Sequence, residues 1–105
     1  MENQIEIFKV LANETRLDML KWLKEPMNHF DKTTAHLAKN ISEKGGVCVG
    51  DIQEKANMSQ STVSHYLTMM QRVGLLESER HGKWTYYRRN DERIQEIAEF
   101  IKEEL

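Results

Sequence analysis

The stretch from Met58 to Val73, closed by Gly74-Leu75-Leu76, constrains this chain more than any other. Val63, Leu67 and Met70 recur at i, i+4 and i+7, which puts them on one face of a helix. Ser59 suits the N-cap position and Gly74 the residue just past the C-terminus, where a left-handed backbone is needed. Gln60, Ser61, Thr62, Ser64 and His65 supply short polar groups at or near the opposite face. A helix that is apolar behind and short-polar in front can lie in a DNA major groove, with its N-terminal residues against base edges and phosphates.

The flanking segments fit that helix into a motif. Asp51 to Ala56 reads as a short helix with Ile52 and Ala56 inward, and Asn57-Met58 as the turn that follows. Downstream, Leu75 to His81 alternates, Gly82-Lys83 is a turn, and Trp84 to Arg89 is rich in the aromatic and β-branched residues that strands prefer. The two runs form a hairpin with a basic tip, Arg80-His81-Gly82-Lys83. Trp84 and the Tyr86-Tyr87 pair alternate along the second run, and packing beneath the hairpin is their expected role. Asp91 is the expected cap of a last helix with a stripe of Ile94, Ile97, Ile101 and Leu105, widened by Ala98.

Toward the N-terminus, Ile5 to Ala12 is apolar over most of a helix circumference. Asn13 can cap the next helix, Glu14 favours its positive end, and Leu17, Leu20 and Leu23 continue it. Pro26, the only proline, ends that helix or bends its exit. Met27 to Gly46 is the least regular part; Thr34 to Ile41 suits a short helix, broken by Gly45-Gly46. Val47-Cys48-Val49 is either a one-rung strand or a loop. The expectation is therefore a single domain over residues 1–105, mainly α with a β-hairpin wing. Its order is α-α-α-α-β-β-α, a winged helix-turn-helix.

A chain of 105 residues builds only a modest core. Such a core does not easily bury both a helix apolar nearly all round and a long terminal stripe. Dimerisation through Ile5, Phe8, Ile94, Ile97 and Ile101 is the expected solution. A twofold dimer in turn implies double-stranded DNA with dyad symmetry as its partner. The formal net charge of −2 is mildly unfavourable for nucleic acid. The distribution matters more. Arg72, Arg80, Lys83, Arg88, Arg89 and Arg93 gather in the second half, followed by Glu96, Glu99, Glu103 and Glu104. No apolar run approaches membrane-spanning length, and Met1-Glu2-Asn3-Gln4 is unlike a basic secretory leader, so a cytoplasmic protein with no membrane role is expected.

At this level of detail the chain resembles the ArsR/SmtB family of bacterial repressors. Phe8-Lys9-Val10-Leu11-Ala12-Asn13-Glu14-Thr15-Arg16-Leu17 is similar to that family's "L-A-x-x-T-R-L-x-I-L" opening. Cys48-Val49-Gly50-Asp51-Ile52 resembles "C-V-C-D-L", and Ser59 to Leu67 resembles the recognition helix "S-Q-S-x-V-S-x-H-L". Gly74 through Tyr87 resembles the wing. The resemblance implies a homodimeric winged-helix repressor that binds an inverted-repeat operator and leaves it when an inducer binds. It also marks departures. The family's metalloid site needs a second cysteine where this chain has Gly50, and a third thiol would fall at Gln53. The other family metal site uses Asp and His pairs on the last helix, and no histidine lies between Asp91 and Leu105. No metal and no cofactor are expected, and the inducer stays unidentified.

The expected DNA contacts are Ser59, Gln60, Ser61, Thr62, Ser64 and His65 on the helix, with Arg80, His81, Lys83 and Arg88 on the wing. Glutamine can bond adenine bidentately, and hydroxyls serve phosphates or bases. Cys48, the only cysteine, is either a redox sensor near a helix N-terminus or a small buried hydrophobe. His29, Asp31 and His36 with Cys48 could offer zinc a donor set, though as three loop polars they need no ligand. The chain is not expected to be an enzyme, because it has no phosphate-cradling glycine motif and no nucleophile-base set. The alternative function, favoured by the net negative charge, is a winged-helix protein-interaction module.

Overall fold

The computed structural model describes residues 4–30 and 45–105. Two helices open the chain, α1 (Gln4–Leu11) and α2 (Glu14–Lys24), joined by a tight corner. Asn13 makes that corner: its side-chain oxygen accepts from the Arg16 amide at 3.0 Å, satisfying a donor that the first turn of α2 leaves over. Arg16 itself is buried, an unusual place for a guanidinium. Its Nε donates to the Val10 carbonyl and Nη2 to Lys9 O at 3.4 Å, so the cation closes the C-terminal end of α1.

Pro26 does more than stop α2. It starts a further short helix, α3 (Pro26–His29), at whose first position a missing N–H costs nothing. The Thr34 to Ile41 helix, Asp31 and His36 lie outside the described residues.

The next described element is β1 (Val47–Cys48), so the strand alternative holds for those two residues. The helix after it, α4 (Val49–Ala56), begins two residues earlier than Asp51, with Cys48 at its N-cap. Asn57 turns the chain in the left-handed region (φ 54°), and Ser59 then caps α5 (Gln60–Arg72). The far end of α5 is a Schellman closure. Gly74 N donates to Gln71 O at 3.0 Å and Leu75 N to Met70 O at 2.9 Å, with Gly74 at φ +85°.

Two strands follow, β2 (Leu76–His81) and β3 (Trp84–Arg89), then α6 (Asp91–Glu104). The sheet has three strands in the order β1-β3-β2, all antiparallel, rather than the hairpin alone. Val47 pairs Tyr87 and Cys48 pairs Tyr86. The cap of α6 is Asn90, not Asp91: its side chain accepts from the Arg93 amide at 3.2 Å. The Asn90 amide is fixed onto Leu75 O at 2.9 Å, which holds it outside the helix. Asp91 is displaced into the first turn and pairs with Arg89 at 3.0 Å.

The core gathers Ile7 and Val10 from α1, Met19, Leu20 and Leu23 from α2, Phe30, Val47, Ile52, then Val63, Leu67 and Met70 from α5. Leu75, Leu76 and Ile97 complete it. Val63, Leu67 and Met70 on the inner face of α5 are fully buried, so packing fixes which way its polar face points. The architecture is mainly helical with a three-stranded antiparallel wing sheet, a winged helix-turn-helix. Among the described residues, no helix is long and apolar enough to cross a membrane.

Candidate nucleic-acid interface

The outward face of α5 is built by what its inward face must do. With Val63, Leu67 and Met70 committed to the core, Gln60, Ser61, His65, Thr68 and Arg72 stand exposed. Thr62 and Ser64 are half-buried at its margin. Ser61, His65, Thr68 and Arg72 follow one another at helical spacing, so the exposed stripe runs the length of the helix. Thr68 and Arg72 were not among the expected contacts, although the same periodicity that selects Ser61 and His65 selects them.

The start of α5 is preorganised by hydroxyls. Ser59 Oγ accepts from the Thr62 amide at 3.2 Å and donates to Thr62 Oγ1 at 2.9 Å, with Ser61 Oγ 3.3 Å away. Ser59 thereby uses its single proton within the cap. Thr62, accepting there, keeps its own hydroxyl proton to give. The remaining first-turn amides and the positive end of the helix suit a phosphate. The His65 ring is exposed and lies 6.4 Å from that of Tyr66, at a tilt of 41°.

The wing tip is a tight turn at Gly82 (φ 62°), a left-handed position that favours glycine. Arg80 folds over it, Nε donating to Gly82 O at 3.1 Å. His81 Nε2 lies 2.6 Å from Glu79 Oε2. Arg80, His81 and Lys83 are all exposed there. Trp84 departs from the expected packing role. It is 40% exposed at the tip, while Tyr86 and Tyr87, further down the strand, are half-buried.

Arg88 lies elsewhere. Its side chain is only 14% exposed, with Nη1 3.1 Å from Glu79 Oε1 and Nε 3.6 Å from Glu77 Oε1. The register explains this, because Glu77 faces Arg88 directly across the ladder. The structure therefore sets Arg88 apart from the exposed tip and pairs it with two carboxylates. Arg89 and Arg93 are likewise paired, with Asp91 and with Glu96. The cations gathered in the second half of the sequence thus divide. Arg72, Arg80 and Lys83 are exposed on α5 and at the wing tip, whereas Arg88, Arg89 and Arg93 sit in ion pairs.

The residues expected at a dimer interface divide as well. Ile97 is 7% exposed and belongs to the core, and Ile94 packs half-buried against it. Phe8 stacks on Phe100 with ring centres 6.2 Å apart. Ile5 (66%) and Ile101 (46%) stay open to solvent, as does Leu105. Phe100, not singled out from the sequence, joins α1 to α6 there.

Cys48 is a free thiol only 1% exposed, and that burial favours the packing role over the sensing one. A Cβ added at Gly50 would lie 4.0 Å from its Sγ. Among the described residues, no three His, Cys, Asp or Glu side chains gather as a metal site. Burial pushes the Tyr87 hydroxyl above its ordinary pKa.

Comparison with known proteins agrees with this geometry. Residues 37–78 match the family described as bacterial regulatory protein, arsR family. The uncharacterized HTH-type transcriptional regulator YbzH of Bacillus subtilis is 48% identical over 101 residues, spanning 96% of this chain and 97% of that protein. The arsenical resistance operon repressor of Escherichia coli is 33% identical over 84 residues, which are 80% of this chain and 56% of the repressor. Among solved structures, a homodimeric winged helix-turn-helix DNA-binding domain from Mycobacterium bovis superposes with a TM-score of 0.63. It is 23% identical and the match covers 96% of this chain and 76% of that domain.

Proposed function

This chain belongs to the arsR family of bacterial regulatory proteins, and we propose that it acts as a homodimeric repressor on an inverted-repeat operator, leaving it when a signal arrives. It is a transcriptional regulator with a winged helix-turn-helix DNA-binding fold and not an enzyme. The observation that carries the finer reading is the exposed surface of Gln60, Ser61, His65, Thr68 and Arg72 on a helix whose opposite side buries Val63, Leu67 and Met70.

In that reading α5 enters the major groove. Gln60 reads adenine, the hydroxyls of Ser61, Thr62 and Ser64 meet bases or phosphates, and Ser59 holds the helix start in shape. Arg80, His81 and Lys83 reach the adjacent backbone or minor groove, where the potential is most negative. Ile5, Ile101 and Leu105 are open apolar surface on α1 and at the end of α6, the two helices that the Phe8–Phe100 contact joins. Covering them with a second copy removes that surface from water and sets two α5 helices about one DNA turn, roughly 34 Å, apart. Repression follows by occlusion of the promoter; the Escherichia coli relative is named as a repressor. Gly50 and Gln53 stand where a thiol metalloid site would need cysteines, which supports a trigger of another kind.

The test is selection of duplexes from a random-sequence pool, with sedimentation of the protein alone and with the selected duplex. Enrichment of an inverted repeat bound by two copies is the expected result. Failure to select any duplex at low salt would overturn the DNA reading, and a monomer on a single half-site would overturn the dimer.

A further inference from the structure

Trp84 opens β3 immediately after the Gly82–Lys83 turn. The register sets it opposite His81, Lys83 Nζ lies 5.4 Å from its ring centre, and Arg80 is drawn back over the same turn. An indole thus stands at the wing tip beside the Lys83 ammonium, with 40% of its surface in water and Arg80 held on the same turn. The aromatic residues that support the sheet are further along the strand: Tyr86 faces Cys48 and Tyr87 faces Val47 across the β1 pairing. Apolar surface left in water is stabilised when a partner covers it. The Lys83 and Arg80 cations indicate which partner. They would bring a polyanion to the tip, and the deoxyribose walls of a DNA minor groove offer apolar surface between the phosphates.

We propose that Trp84 is itself a DNA contact, its indole packing on the sugar wall of the minor groove that flanks the bases read by α5. The assignment rests on the DNA-binding reading above. It has a signature that the basic residues lack. A lysine or arginine on a phosphate releases counterions, so its contribution fades as salt rises. Dehydration of an indole against a sugar releases no counterions, so its contribution persists at every salt concentration.

The test uses the full chain and a fluorescein-labelled duplex selected by the wild-type protein, with affinity measured by anisotropy across a salt series. Trp84→Ala should weaken binding about tenfold at every salt with an unchanged slope, and Trp84→Phe should recover most of the loss. Lys83→Ala should instead flatten the slope. A Trp84→Ala protein that binds like wild type, or a loss that vanishes as salt rises, overturns the assignment. A second measurement does not depend on that variant folding. In Trp22→Phe protein Trp84 is the remaining tryptophan, and its emission should shift on addition of the duplex; unchanged emission with the duplex bound overturns the assignment. If the wild type bound no duplex, the DNA reading and this assignment would fall together. Normal wild-type binding with an indifferent Trp84 removes this assignment alone.

Discussion

The guanidinium of Arg16 lies 4.9 Å from the centre of the Tyr66 ring. The same side chain closes the end of α1 through the Val10 carbonyl, so a single buried cation links the first helix to the outward-facing α5. Arg16→Met should leave that carbonyl unsatisfied and remove the cation from the ring, costing about 2 to 3 kcal/mol of unfolding free energy. Arg16→Lys should recover little, since an ammonium lacks the planar fork. Urea unfolding decides it: a wild-type midpoint for Arg16→Met would show that the link is inert.

Arg88 and Lys83 should separate when DNA affinity and stability are measured side by side. Lys83→Ala should lower the slope of log affinity against log salt by about 0.9 for each phosphate that the lysine neutralises. Arg88→Met should leave that slope where it is. It removes one partner of the half-buried Glu77 and Glu79, at a cost of about 1 to 3 kcal/mol in stability. A flattened slope in Arg88→Met would return this residue to the DNA-contacting set.

Gly74 ends α5 in a conformation that side chains rarely adopt. Gly74→Ala should destabilise by about 1 to 2 kcal/mol from the left-handed backbone alone. The new Cβ would also meet Arg93 Nε at 2.9 Å. That atom is the end of a flexible chain and can move aside, so the backbone term dominates. Gly74→Asn, which tolerates the left-handed region, should cost less. Equal midpoints for wild type and Gly74→Ala would contradict the strain account.

Tyr87 gives a pH dependence with a definite sign. Its folded pKa is raised by burial, so above about pH 10 the unfolded chain gives up this proton first. The stabilisation is present below the unfolded pKa and is lost as pH rises through the folded one. Tyr87→Phe has no such proton. The stability of wild type relative to Tyr87→Phe should therefore fall between neutral pH and about pH 11. A constant difference across that range would refute it.

Cys48 should behave as core. In native protein its thiol should react slowly with Ellman's reagent and quickly once urea unfolds the chain. Cys48→Ser should cost about 1 to 3 kcal/mol, because a hydroxyl in that place lacks the partners it had in water. Fast labelling of the native thiol would revive the sensing role.

The parts legible in the sequence are those whose determinants are local. Ser59, the Val63-Leu67-Met70 face and Gly74 all lie within or beside α5, and each acts there through its nearest neighbours. β1 is opposite in kind. Two residues carry no period, and their partner strand is far downstream, so only the pairing of Val47 with Tyr87 and Cys48 with Tyr86 makes them a strand. The exchange of cap from Asp91 to Asn90 has the same origin, since the Leu75 carbonyl that positions Asn90 is distant in sequence. That Arg88 is paired with carboxylates is not legible either, because only the register sets Glu77 opposite it. The exposure of Trp84 is not legible in the sequence, because alternation specifies a face of the strand and not how far the core extends beneath it.

The two residues of β1 have a mechanical consequence. Because β1 runs directly into α4 and is hydrogen-bonded to the second wing strand, the helix-turn-helix and the wing form a single stamp with a fixed distance between its two raised edges. Such a stamp prints both of its marks or neither. In the homodimer proposed above, a releasing signal would therefore act on the spacing between the two stamps and leave each one undeformed.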